Sequence, residues 1–349
     1  MDFALNDEQQ MLQESARRFF SERHPLSRAR QALPWSDAAQ QTLWADMADM
    51  GWMALLVPES HDGLGLGLCE AFLVAEAAGQ QLLNLPWASS AVLLPLWLKA
   101  SDAPPAALLD WVQAAAKGER AFHCSPAGNQ WQDYAQQASD AIAVQGWHDD
   151  SVPLRLALQA APGRAAPGRA ARCALDGTQA IAALAPLEAQ EWLTLNLSPK
   201  ARAHAQAAYR LALVGELMGA GQASLQMARN HACERVQFGK PIGSYQGIKH
   251  QLANAWMAMD NARLAALYAA AALDGDLADW RFACAAAEFT AIEGAQQTTR
   301  TTIQVLGGMG FTWEHDAHLY LKRVQHLATR LGGASRALSQ VEALAIPVV

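Results

Sequence analysis

The 349-residue chain is long enough for two or three domains and a large core. Its 52% hydrophobic and 17% charged residues exclude a disordered chain and read as an alanine-rich, well-buried helical protein. A formal net charge of -7 with no basic cluster argues against nucleic acid as the main partner and points to a small-molecule handler.

Residues 6–117 read as helices. Asn6 and Asp7 are cap candidates ahead of Met11, Leu12, Ala16, Phe19 and Phe20 at helical spacing. No basic segment followed by an apolar run opens the chain, so no signal peptide is expected. Leu43, Met47, Met50 and Trp52 carry a second apolar face, and Pro58-Glu-Ser-His-Asp-Gly63 is a loop in which Glu59 reads as a turn carboxylate. Glu70–Gln80 and Ala88–Lys99 supply further helices. The apolar stretch Trp87–Leu98, interrupted by Ser89, Ser90 and Pro95, falls short of the ~18 residues of a membrane span, and no membrane role is expected.

Residues 118–198 change character, with short alternating pieces at Ala141-Ile-Ala-Val144 and Leu154-Arg-Leu-Ala-Leu158 that predict strands. Ala161-Pro-Gly-Arg-Ala165 repeats at once as Ala166-Pro-Gly-Arg-Ala170, a punctuated loop to which no chemistry is assigned.

Residues 199–349 return to helices. Ser198 before Pro199 is a start signal, and the apolar pattern runs from Tyr209 to a joint at Gly239 and Pro241, with the helix expected to end after Val236. Arg235 then projects from the last turn, where its planar fork suits a pyrophosphate. Further helices are expected from Ile248 to Leu267, Trp280 to Val305, His315 to Thr329 and Ala334 to Leu344, which together predict an antiparallel bundle. Cys69, Cys124, Cys173, Cys233 and Cys284 lack metal-ligand spacing, so free thiols in a reducing cytoplasm and no metal are expected.

Three strings occur in a specific order: Arg235-Val-Gln-Phe238-Gly-Lys-Pro-Ile242, Tyr245-Gln246-Gly-Ile, and Gln304-Val-Leu-Gly-Gly308-Met-Gly-Phe-Thr312. With Leu5-Asn-Asp-Glu-Gln-Gln10, Gly51-Trp-Met-Ala-Leu-Leu-Val-Pro-Glu59 and Gly63-Leu-Gly-Leu-Gly67, they resemble the acyl-CoA dehydrogenase family. The resemblance implies a mainly α fold with a small β domain: an N-terminal helical domain (1–117), a shortened middle β domain (118–198) and a C-terminal antiparallel four-helix bundle (199–349). It covers both ends of the chain and fails in the middle. There the family's flavin-contacting loop would correspond to Phe122-His-Cys-Ser-Pro-Ala-Gly128, with most of it missing.

The family's reaction is FAD-dependent α,β-desaturation of an acyl-CoA, in which a base removes an α-proton and a hydride leaves the β-carbon. The resemblance places the usual glutamate base at Gly332, which cannot accept a proton, and the alternative seat at Tyr209, a poor base at neutral pH. Glu216, Glu314 and Asp316 are the nearest carboxylates, with Glu314 and Asp316 expected to cap or pair at the fourth helix. Arg210 matches a recurrent family arginine on the substrate side. Arg235, Phe238, Gln246, Gln304, Gly307 and Gly308 match positions that reach across a dimer to the ADP half of a neighbour's FAD. The combination implies a non-catalytic subunit of a heteromeric (α2β2) acyl-CoA dehydrogenase, with an electron-transfer flavoprotein as electron acceptor and lipid or steroid catabolism as the setting. The alternatives are a homo-oligomeric flavoenzyme with an unrecognised base and a flavin-free acyl-CoA-binding or scaffold protein.

Overall fold

The computed structural model describes residues 4–30, 37–127, 131–134, 138–149, 151–160, 172–173, 175–183 and 191–345. The tandem repeat and Gly128 lie outside the described residues. The chain divides into two compact units: Met1–Arg30, Phe72–Leu83 and Arg210–Val349 form one, Gln31–Ala71 and Asn84–Tyr209 the other.

The first unit is helical. α1 (Asp7–Arg23) starts as the sequence predicts, because Asn6 and Gln9 satisfy each other's backbone amides in a capping box. It buries Ala16 and Phe20. α2 (Leu26–Arg30) follows. Most of α4 (Leu68–Gln80) also belongs here, as does α7 (Pro199–Glu234) from Arg210 onward. These two helices touch backbone to backbone. A Cβ added to Gly79 would lie 2.1 Å from the Glu216 carbonyl oxygen, and one added to Gly219 would lie 2.0 Å from that of Glu76. Only glycine permits that approach.

α8 (Gln246–Asp274), α9 (Trp280–Leu306), α10 (Ala317–Arg330) and α11 (Gly333–Leu344) complete the helical unit. Alanines dominate the contact faces, among them Ala262, Ala266, Ala287, Ala291 and Ala295, so the helices pack closely around thin side chains. The long connected helices α7 to α10 give the expected bundle. Small offsets from prediction occur at the ends, where α9 runs to Leu306 and α10 starts at Ala317.

The second unit carries α3 (Asp37–Asp49), a loop from Gly51 to Gly67, a π-helical stretch Ala88–Leu93 continuing into α5 (Leu94–Ala100), and α6 (Ala106–Ala116). The stretch expected as one helix over Ala88–Lys99 is therefore widened in its first half, and it is buried throughout that half. Its sheet pairs β1 (Phe122–Pro126) in parallel with β3 (Asp140–Gln145), followed by antiparallel β4 (Leu154–Ala160) and β7 (Leu193–Leu195). A smaller sheet joins β2 (Trp131–Asp133), β6 (Ala180–Ala183) and β5 (Arg172–Cys173). α7 begins at Pro199 with the Ser198 hydroxyl accepting from the Ala201 amide at 3.1 Å, the predicted cap. No helix among the described residues is long and apolar enough to cross a membrane.

Candidate functional site

The joint after α7 differs from its sequence reading in one respect. α7 stops at Glu234, two residues before the expected end, and the Arg235 amide donates to the His231 carbonyl at 2.9 Å. Val236–Gln237 (β8) and Lys240–Pro241 (β9) instead pair as a hairpin. Its two loop residues both have positive φ, 52° at Phe238 and 83° at Gly239, the requirement of a type I′ turn. The breaker pair therefore makes a hairpin rather than a helix cap, and the β-branched Val236 goes into the strand. Glycine is at home in that turn. A phenylalanine at φ 52° is strained, and its ring is 93% exposed. Tyr245 steadies the hairpin by donating its hydroxyl to the Gln237 carbonyl at 3.0 Å and by receiving the Lys240 ammonium 4.3 Å from its ring centre.

The fold brings the separated motifs together. Ile242 and Ile248 of the joint pack with Ala228, Ala232 and Val305. Val305 lies beside Gln304 in the sequence, so the hairpin and the turn Gln304–Gly308 share one end of the bundle. Arg235, Gln246, Gln304, Gly307 and Gly308 are all exposed. The Arg235 guanidinium makes no hydrogen bond or ion pair among the described residues, and the Gln246 side chain meets the His250 ring nitrogen at 3.0 Å. A Cβ built on Gly307 or Gly308 meets nothing within 4 Å, which leaves open space over that backbone.

The expected base seat is occupied in an unforeseen way. Gly332 precedes α11 at φ 85°, and a Cβ built on it would lie 2.6 Å from Cδ of Arg336, one turn further on. The aliphatic stem of an arginine thus covers the place where a side chain at 332 would start. Arg210 donates from Nε to Glu288 Oε1 and from Nη2 to the Leu331 carbonyl, both at 2.6 Å, and also reaches Glu288 Oε2 at 2.5 Å. Arg336 approaches the same carboxylate at 3.6 Å. Sequence reasoning missed Glu288 and Arg336. The available signal was an acid inside the apolar run Ala285-Ala-Ala-Glu288-Phe289, since a buried carboxylate needs a paired cation. Tyr209, the alternative seat, is 6% exposed, with its ring edge-on to Trp147 at 5.8 Å.

The remaining carboxylates differ in burial and pairing. Glu216 is 2% exposed, and burial pushes its carboxyl up to about 7, opposed in part by the Arg323 and Arg330 guanidinium groups. Its Oε2 has no hydrogen-bond partner among the described residues. Asp316 pairs with Arg30, whose guanidinium also donates to the Glu314 carbonyl at 3.4 Å. Asp316 does not cap α10 with its side chain, whereas His315 Nδ1 accepts from the Ala317 amide at 3.2 Å. In the sheet unit, the Ser90 hydroxyl both accepts from the Phe122 amide (2.9 Å) and donates to its carbonyl (3.0 Å), and Ser89 accepts from the Cys124 amide (3.2 Å). Phe122–Pro126, expected as part of a loop, is thus strand β1, with the Phe122 and Cys124 backbone held by these serines. Among the described residues no group of acids, histidines and cysteines is placed to hold a metal, and Cys69, Cys124, Cys233 and Cys284 are in no disulfide.

Two sequence profiles match this chain: the acyl-CoA dehydrogenase N-terminal domain over residues 6–110 and the C-terminal domain over 205–343. The chain belongs to the acyl-CoA dehydrogenase family. Neither profile matches residues 111–204, a stretch that includes the middle region 118–198. Among curated acyl-CoA dehydrogenases, IpdE2 of Mycobacterium tuberculosis is 29% identical over 96% of both chains. FadE34 of the same organism is 44% identical over 133 residues, a segment that spans 38% of this chain but only 19% of FadE34. The crystal structure of the ChsE4-ChsE5 complex from Mycobacterium tuberculosis has the same fold, with a TM-score of 0.81 over 98% of both chains at 22% identity.

Proposed function

We propose that this acyl-CoA dehydrogenase family chain is the non-catalytic subunit of a two-chain enzyme that desaturates an acyl-CoA, and that it holds the ADP half of the FAD carried by its partner. The observation that carries the reading is the contrast between two places in the helical unit. At Gly332 there is no carboxylate, and the stem of Arg336 covers the position. At the joint, Arg235 and Gln304 stand exposed beside the open backbone of Gly307 and Gly308.

That second group suits a dinucleotide. The guanidinium of Arg235 supplies a planar pair of donors for a pyrophosphate, the Gln304 amide donates and accepts at a nucleotide edge, and the two glycines let backbone amides approach closely. Phe238 and Gln246 complete the group. FAD, when bound, supplies the hydride acceptor. The partner supplies the base and the ring-contacting loop. Arg210, matched by resemblance to a substrate-side residue, here orients the Leu331–Gly332 turn through its bonds to Glu288 and the Leu331 carbonyl. An electron-transfer flavoprotein takes the electrons onward, in the cytoplasm and in lipid or steroid catabolism.

The test is to co-express the chain with an acyl-CoA dehydrogenase subunit that carries the glutamate base and to purify the complex with and without Arg235→Ala. The expected result is an intact complex with reduced flavin content and turnover. The same flavin content and turnover in both complexes overturns the reading.

A further inference from the structure

A cleft of about 770 Å³ runs between α7 and α8 in the helical unit, with α1 at one end. Its charges are one-sided. Arg229 and Lys249 stand at one end, Arg17 and Arg263 at the other, and among the described residues Asp260 is the only acid in the lining. The far pair is built in. Buried Glu76 holds Arg263 at 2.8 Å and lies 3.8 Å from Arg17, while Gln13 and Gln222 donate to its remaining lone pairs. The near pair is exposed and makes no ion pair among the described residues. Between the ends lie Leu225, Leu252 and Met259, with the indole of Trp256 60% exposed.

We propose that this cleft receives an amphipathic helix of the second, different acyl-CoA dehydrogenase subunit, with acidic residues at both ends of its apolar stripe. The inference rests on the reading of the chain as one of two subunits. Lys249 and Arg263 are about 21 Å apart along α8, at about 1.5 Å per residue, which is the length of about four helical turns. A single small anion reaches one end only, whereas a helix lays anchors at both ends and its apolar face on the strip between. A symmetric homodimer through this face sets a patch against its own copy. The four cations of each copy, offset only in part by Glu76 and Asp260, would then meet their own kind, and like-charge juxtaposition rejects that partner. The cleft therefore selects for a different chain.

The test is the complex of the full-length chain with that subunit, measured by sedimentation at low and high salt. Arg229→Glu combined with Lys249→Glu should weaken association about 100-fold at low salt, on the scale of interfacial charge pairs. Wild-type association should weaken as salt rises. Arg300→Glu, at an exposed position outside the cleft, should change neither, and the thermal melts of all variants should coincide. Association unaffected by the double reversal, or equally lost with Arg300→Glu, overturns the cleft while leaving the subunit reading intact. Displacement of the subunit by inorganic phosphate at constant ionic strength identifies a small-anion site and also overturns it. Wild-type chains that never associate overturn both readings.

Discussion

Glu216 offers a sharp test of how the helical unit is packed. Its carboxyl is buried on α7 within the field of Arg323 and Arg330, and burial raises it from 4.5 to about 7. A raised carboxyl pKa means that the folded state keeps a proton the unfolded chain releases between those values. Its contribution to stability is fully present below pH 4.5 and is lost as pH rises through about 7. At about 1.4 kcal/mol per pKa unit, the loss amounts to about 3 kcal/mol. Glu216→Gln removes the titration and keeps the shape. Urea unfolding of both proteins at pH 5, 6, 7 and 8 should therefore show the variant gaining on the wild type as pH rises, by up to about 3 kcal/mol. The change in the difference matters, because the new amide adds a pH-independent offset. A difference constant from pH 5 to pH 8 refutes the reasoning and means that the carboxylate finds solvent or a partner.

Gly219→Ala should destabilise the protein by about 1–3 kcal/mol or more in denaturant melts, since its methyl meets the Glu76 carbonyl on α4 and neither backbone can yield cheaply. Gly332→Glu should cost about 1–2 kcal/mol from its left-handed backbone and bring no turnover to the isolated chain, because the new carboxylate meets Arg336 rather than an open seat. Phe238→Asn should raise the melting temperature, because asparagine tolerates the first position of a type I′ turn, while lowering flavin retention in the two-subunit complex. Unchanged flavin retention would leave the Phe238 strain without a functional account.

The fold was legible where signals are local. The capping box at Asn6 and Gln9, the Ser198 start and the apolar stripes of the long helices each depend on residues within a few positions. The joint was legible as a break but not as a hairpin, because Phe238 is an unusual occupant of a left-handed turn position and gives no hairpin signal. The site was half legible. Arg235, Gln304 and the glycines stand out as motifs, and the absence of an acid at 332 is plain from the string itself. What fills the vacated place is not. Arg336 covers Gly332 through the three-dimensional course of the α11 turn, and Glu288 meets Arg210 across 78 residues. Glu216 is the extreme case, since its burial and the Arg323 and Arg330 charges it feels come from residues more than a hundred positions away.

The central claim is that this chain serves a flavin whose reactive ring belongs to another subunit. The most direct measurement is the visible absorption spectrum of the protein purified alone and after co-expression with an acyl-CoA dehydrogenase subunit that carries the glutamate base. The account predicts a colourless, inactive chain alone and a yellow complex that is bleached by acyl-CoA. A chain that is yellow and bleached by acyl-CoA on its own would contradict it.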